Sequence, residues 1–385
     1  MCGLVLFALL KGWSSRQTVV VMIILTGQIM EGVADTFFNL YRAEGRQVRE
    51  GLYRTGTNLI GVAYGTICLL TGLGIVALAF FLIISNGLKL VLAATGVVRL
   101  GLASEWFRTR SLLPAAQVPA VLTVAGVSGL GSFYNYIQVF FLKQFHDLKT
   151  VAFYGAAADF SGFIAGFVTL ITIGAVLFPA LATTAVRNPE ELPGRVHAYF
   201  WQLLTHGTGV AFFLATLGGW ILVMVYGPKY GASVAPLRIL GPATLLSFLN
   251  NFGVYVLLAL RQEKRLFLYH LFPASLSLVL GMVLIPYWGA TGAALNLLAC
   301  RIAMAVLIIG WLQRNMRVLS RPEIRRILKA FLPMAVVFLL LVGIQPLVAG
   351  VAGLAAYMIV TWQVGGFELR LGSGEGSHEK SRKAF

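Results

Sequence analysis

Six Asp, Glu, Lys or Arg side chains lie deep inside long apolar stretches of this 385-residue chain. They are Glu31, Asp35, Lys89, Asp159, Arg238 and Arg301. Each charge placed in the core of a bilayer costs about 3 kcal/mol or more, so such residues commonly mark the pathway of an ion or a substrate. The acidic members predict a site for a coupling ion, and the basic members predict contacts to an anionic group such as a pyrophosphate.

The three acidic candidates differ in depth. Glu31 and Asp35 are four residues apart, so they share one face of a helix. Asp35 lies near the end of its apolar stretch, and a position at the membrane interface is an equally good interpretation. Asp159, in the segment YGAAADFSGF, is about 14 Å from the end of its span at the helical rise per residue, which places it near the midplane.

The basic candidates and two amides complete the set. Lys89 and Arg301 lie deep in their spans, where the side chain cannot easily reach the interface. Arg238 is nearer the outer interface and could bind a lipid phosphate instead. Asn250 and Asn251 follow Arg238 on the same apolar stretch, and they could contact the substrate or hydrogen-bond between helices.

The elements that carry these residues are apolar helices. Of all residues 58% are apolar and 11% are charged, whereas a soluble domain carries about a quarter charged residues. The apolar runs lack the period-two alternation of barrel strands, so helices are predicted. Eleven membrane-spanning helices are expected, at residues 18–40, 55–72, 75–97, 114–141, 151–178, 199–227, 232–260, 266–286, 288–312, 328–345 and 347–366.

Along the chain, basic connectors between the spans alternate with nearly neutral ones. Most basic residues fall in residues 42–54, 99–110, 187–195, 261–265 and 314–329, and in the polar tail. Because Lys and Arg are retained on the cytoplasmic side, these connectors and the C-terminus are predicted to be cytoplasmic, in a multi-pass protein of a bacterial inner membrane. The formal charge of +16 is therefore a topology signal, and no nucleic-acid partner is expected.

Motifs for other chemistry are missing from the sequence. Cys2, Cys68 and Cys300 form no paired motif, and no zinc-hydrolase, nucleotide-binding or nucleophile pattern occurs. His206 and His270 are single histidines on apolar helices, which are more often structural than catalytic. We expect no enzyme activity, no metal and no cofactor. A membrane-embedded polysaccharide polymerase or acyltransferase would need a larger outer loop or a His/Asp/Glu cluster.

From about residue 18 to residue 364 the chain resembles the polysaccharide-transporter branch, with its O-antigen and lipid-linked oligosaccharide flippases, of the multidrug/oligosaccharidyl-lipid/polysaccharide exporter superfamily. Each matching segment is a loose pattern, and their order and spacing are fairly specific. The segments are FFNLYRAEGRQVREG at residues 37–51, VAFYGAAADF at 151–160, LFPALA at 177–182, YGPKYGASVAPLRILGPATLLSFLNN at 226–251 and LIPYWGATGAA at 284–294.

The resemblance implies a two-lobed bundle of helices around a central cavity. Alternating access would move the head group of an undecaprenyl-pyrophosphate-linked oligosaccharide, such as an O-antigen or lipopolysaccharide unit, to the outer leaflet. Its partners would be membrane lipids, the polysaccharide polymerase and the chain-length regulator. The expected regions are an incomplete N-terminal lobe at residues 1–110, a C-terminal lobe with its preceding helices at 111–313, a basic cytoplasmic connector at 314–327, a terminal helix pair at 328–366 and a disordered tail at 367–385.

Two departures from the family pattern stand out. Where the family often has an acidic residue near the outer end of its seventh helix, this chain has Gln138, which weakens the prediction of ion coupling there and makes Gln138 a cavity candidate. The first two family helices are also missing, and residues 1–10 resemble the end of the third. Within the same superfamily, a multidrug/cation antiporter is the alternative, although such proteins favour acidic cavities.

Overall fold

The computed structural model describes residues 14–43, 46–99, 118–169 and 178–363. Within these ranges every regular element is a helix, which confirms the all-α class. The chain divides into two compact units, Met1–Pro114 and Ala115–Phe385. The tail expected to be disordered, at residues 367–385, lies outside the described residues, as do residues 1–10.

The first unit contains three described helices. They are α1 (Ser15–Ala43), α2 (Gln47–Thr71) and α3 (Gly74–Arg99). Both α1 and α2 pack along α3. Phe38 and Tyr41 of α1 are buried against Ala93 and Val97 of α3, so this end of the helix pair has an aromatic core.

The second unit contains nine described α-helices. They are α4 (Val118–Phe145), α5 (Leu148–Thr169), α6 (Phe178–Arg187), α7 (Leu192–Thr216), α8 (Gly218–Tyr226), α9 (Val234–Ala259), α10 (Glu263–Met316), α11 (Arg321–Val342) and α12 (Pro346–Gln363). The helix α10 packs against both α4 and α9, and α9 packs against α7. The pair α11 and α12 adjoins α7 through α12. Two short 3-10 segments, Pro189–Glu191 and Pro228–Ser233, precede α7 and α9.

Most described helices extend beyond one or both ends of the spans expected from the sequence. By length and apolar composition alone, four described helices could each cross a membrane, with a fifth if α7 and α8 form one span. The spans expected at 266–286 and 288–312 are the two halves of α10, which is broken at Gly289 (φ 50°, ψ −128°), a backbone conformation that glycine adopts without strain. The first residues of the span expected from 114, and residues 170–177, lie outside the described ranges.

One expected span is not continuous. The span at 199–227 consists of α7 and α8, which meet at a bend of 56°. A glycine pair, Gly218 and Gly219, follows the bend, and a Cβ on Gly219 would lie 2.6 Å from Val234 Cγ1. Sharp bends commonly occur at such small residues, so the glycines explain why the helix breaks here.

The basic connector expected at 314–327 is mostly helical. The helix α10 continues to Met316 and α11 begins at Arg321, which leaves four residues between them. Trp201 donates from Nε1 to the carbonyl of Val318 at 2.8 Å. This bond ties the short connector between α10 and α11 to α7.

Candidate functional site

A buried ion pair lies at the centre of the first unit. Lys89 Nζ of α3 is 2.9 Å from Glu31 Oε1 of α1 and 3.0 Å from Asn86 Oδ1. The Asn86 amide nitrogen donates in turn to the carbonyl of Gly27 at 3.0 Å. The Lys89 side chain is 3% exposed and the Glu31 side chain 33%, so the carboxylate is the accessible end of the pair.

The structure places both candidates in one ion pair, and the roles predicted for them stay predictions. Lys89 was expected to contact an anionic substrate and Glu31 a coupling ion, whereas the structure makes them partners. Because Glu31 neutralises the ammonium group, Lys89 is not an open cationic site in this conformation. Paired charges are the form in which ionisable groups are tolerated between membrane helices.

A second charge cluster lies one turn along α1. Arg54 of α2 has Nη2 2.5 Å from Asp35 Oδ1 and Nε 2.8 Å from Glu50 Oε1. Its guanidinium also lies 4.6 Å above the centre of the Phe38 ring. Asp35 is therefore held by a salt bridge. The sequence assigned Arg54 to a connector, although its i,i+4 spacing from Glu50 was a readable signal for a helical pair.

In the second unit, Arg301 is hydrogen-bonded to neutral oxygen atoms of two other helices. Arg301 of α10 donates from Nη1 to the carbonyl of Ala243 on α9 at 3.0 Å, and from Nη2 to Asn135 Oδ1 on α4 at 3.2 Å. Asn250 of α9 donates to the backbone carbonyl of Arg301 at 3.0 Å. The structure thus brings together two residues that the sequence indicated as separate candidates, Arg301 and Asn250. Asn135 was not among the candidates named from the sequence.

Arg301 has neutral partners. No carboxylate in the described part of unit 2 forms a salt bridge with it, and the tyrosines nearest to its charge, Tyr134 and Tyr154, are both buried. The residue itself is half-buried. Arg301 has hydrogen-bond donors to spare, since a guanidinium carries five N–H groups.

The remaining candidates are separate from these clusters. Asp159 on α5, Arg238 on α9 and Asn251 on α9 are exposed. Gln138 is fully buried on α4, and its Nε2 donates to the carbonyl of Tyr134 at 2.7 Å. Among the described atoms Gln138 Oε1 finds no hydrogen-bond partner. The cationic cavity expected from Lys89, Arg238 and Arg301 thus stays a prediction, with Lys89 neutralised and Arg238 on the surface.

The two histidines hydrogen-bond within their own helices. His206 Nδ1 lies 2.7 Å from the carbonyl of Gln202, and His270 Nδ1 lies 2.9 Å from that of Leu266. His206 also lines a cavity of about 260 Å³ between α7 and α12. Among the described residues, no group of three or more His, Cys, Asp or Glu side chains could hold a metal ion.

Fold and charge placement together define a multi-pass helical membrane protein with ionisable groups packed between its helices. The same fold occurs in the solved structure of the lipid II flippase MurJ in its inward closed conformation. The TM-score is 0.63 over 91% of this chain and 73% of that chain, at 12% sequence identity. At this identity the likeness establishes the fold. No family model and no curated protein sequence matches the chain.

Proposed function

We propose that the protein is a flippase for a lipid-linked precursor. The observation that carries the proposal is the fold shared with the lipid II flippase MurJ over 91% of the chain. The substrate that we propose is an undecaprenyl-pyrophosphate-linked oligosaccharide, such as an O-antigen or another surface polysaccharide unit. This choice rests on the sequence resemblance to polysaccharide transporters. Such a protein binds and moves its substrate without changing a covalent bond, so we propose no enzyme activity.

The charged clusters support a transport role. Glu31 with Lys89, and Arg54 with Asp35, neutralise each other between helices, which lets a polar interior exist in a bilayer. Arg301 retains a net positive charge inside unit 2. A pyrophosphate head group is an anion that a guanidinium binds well, through two parallel hydrogen bonds. Alternating access would carry that head group across while the lipid tail remains in the bilayer.

The basic connectors support a bacterial inner-membrane location with a cytoplasmic C-terminus. In that orientation the precursor would come from cytoplasmic sugar transfer and would be consumed by a polysaccharide polymerase and its chain-length regulator.

A multidrug/cation antiporter of the same superfamily is the second candidate. The observation that favours it is Asp159, a carboxylate exposed on an apolar helix, because a carboxylate in such a position suits a cationic substrate.

Cells in which the endogenous O-antigen flippase gene has been deleted provide the test. Expression of the protein should restore long-chain lipopolysaccharide on gels, and Arg301→Gln should lower that restoration at an equal amount of protein in the membrane. Restoration of ethidium efflux without lipopolysaccharide in drug-sensitive cells would favour the antiporter. Failure to restore polysaccharide across strains with several different repeat units would contradict the flippase proposal.

A further inference from the structure

We propose that Arg301 is an exchangeable tie between helices: its guanidinium holds α4 and α9 while no anion is bound, and it transfers to the pyrophosphate of the head group when substrate enters. This proposal rests on the proposed function and names both the binding group and the helix contacts that binding would release.

The present partners of the Arg301 guanidinium are two neutral oxygen atoms. Arg301 reaches Asn135 Oδ1 at 3.2 Å and the Ala243 carbonyl at 3.0 Å, and both acceptors are neutral. The present bonds join a cationic donor to neutral oxygens, whereas an anionic oxygen adds charge–charge attraction and a phosphate can accept two parallel N–H bonds from one guanidinium. An anion that reaches Arg301 therefore competes well with the present acceptors.

Arg301 differs from two other cations that lie between helices, Lys89 and Arg54. Lys89 and Arg54 each contact a carboxylate of a neighbouring helix, so an entering anion would have to displace a charged partner. Within the described part of unit 2, Arg301 has no such partner. A half-buried cation between helices without a counter-ion carries part of the desolvation penalty of a buried charge, and binding an anion relieves that penalty. Arg301 is thus the deep cation best placed to take a pyrophosphate.

Anion binding by Arg301 would break one contact between helices and leave another in place. Asn250 donates to the backbone carbonyl of Arg301, and this bond between α9 and α10 does not depend on the guanidinium. Asn135 is the contact of the guanidinium on α4. Transfer of the guanidinium to an anion would therefore release α4 from this link while α9 and α10 stay joined through Asn250, which gives substrate binding a specific structural consequence.

The experiment measures binding of radiolabelled inorganic pyrophosphate to the purified full-length protein, at an ionic strength fixed with sodium chloride. Arg301→Gln should weaken binding at least tenfold. Asn135→Ala should strengthen it about three- to tenfold, because one competing hydrogen bond is removed. The other bond of the Asn135 side chain, to the carbonyl of Gly131, lies within its own helix. Arg187→Gln removes an exposed cation of α6 to which no binding role is assigned, and is the matched control, with less than twofold change expected.

Unchanged binding in Arg301→Gln would overturn the proposal. Weaker or equal pyrophosphate binding by Asn135→Ala, combined with lost binding in Arg301→Gln, would also overturn it. Arg301 would then bind anions without exchanging partners. If Arg301→Gln does not fold, Arg301→Lys serves instead, and undiminished affinity there would contradict the requirement for a guanidinium. Restoration of polysaccharide export by the wild-type protein, together with unchanged pyrophosphate binding in Arg301→Gln, would reject the tie and leave the flippase proposal intact.

Discussion

Removing one member of the Glu31–Lys89 pair should destabilise the protein asymmetrically. In Glu31→Gln the Lys89 ammonium, whose side chain is 3% exposed, keeps Asn86 Oδ1 and loses its counter-ion. The expected cost is about 3 kcal/mol, the lower end of the range for breaking a buried pair, because the glutamine oxygen still accepts a hydrogen bond. In Lys89→Met the surviving carboxylate is 33% exposed and can be solvated, so about 1 kcal/mol is expected.

The double variant should recover most of the loss. With both charges gone the site contains a neutral amide and an apolar chain, a replacement that is often close to neutral for a buried pair. We expect a total cost of about 1 kcal/mol, and hence a coupling energy of about 3 kcal/mol in the double-mutant cycle. The free energy of unfolding would be measured by SDS titration in mixed micelles.

An exposed salt bridge of unit 2 supplies the control. Arg195 and Glu191 are 2.9 Å apart with side chains 38% and 48% exposed, and Glu191→Gln should change stability by less than about 0.5 kcal/mol. Equal costs for Glu31→Gln and Lys89→Met, or single costs that add in the double variant, would refute the reasoning that Lys89 is buried and compensated by Glu31.

Two further predictions concern packing and acid stability. Gly253→Ala should cost about 1–3 kcal/mol, because the new Cβ would lie 2.1 Å from Ile308 Cγ2, whereas Gly310→Ala, with nothing within 4 Å, should be neutral or slightly stabilising. The Thr150 side chain and backbone donate to Asp147 at the start of α5 and lower the pKa of that carboxyl. The stability that ionised Asp147 contributes is fully present above the ordinary Asp pKa of about 4 and is lost as the pH falls further. The melting temperature of Asp147→Asn should therefore fall less on acidification than that of the wild-type protein. An equal fall in both proteins would contradict this assignment.

The helical fold was predictable because the bilayer leaves few alternatives. Long apolar runs must satisfy their backbone groups internally, and within the described ranges these runs are helical. The bend between α7 and α8 was missed because hydropathy is continuous across it. The readable signal was the glycine pair at Gly218 and Gly219, whose close approach to Val234 appears only once the helices are packed.

The candidate residues were predictable, and their partners were not. A deep charge is visible in a sequence because it interrupts an apolar run. The sequence places Glu31 and Lys89 58 residues apart, and no local rule relates residues at that separation. Asn135 carries no charge and did not stand out, although it hydrogen-bonds Arg301. Pair formation depends on how helices pack, which a single sequence does not encode in a readable pattern.

The central claim is that the protein moves a lipid-linked head group across a membrane, and reconstitution tests it most directly. Proteoliposomes would be loaded with a fluorescent undecaprenyl-pyrophosphate disaccharide, and the fraction of label reached by an impermeant reductant would be followed in time. The account predicts that the protein raises this fraction from about half towards all of the label, and that Arg301→Gln slows the rise. A fraction that stays at half with folded wild-type protein, for each of several sugar head groups, would contradict the account.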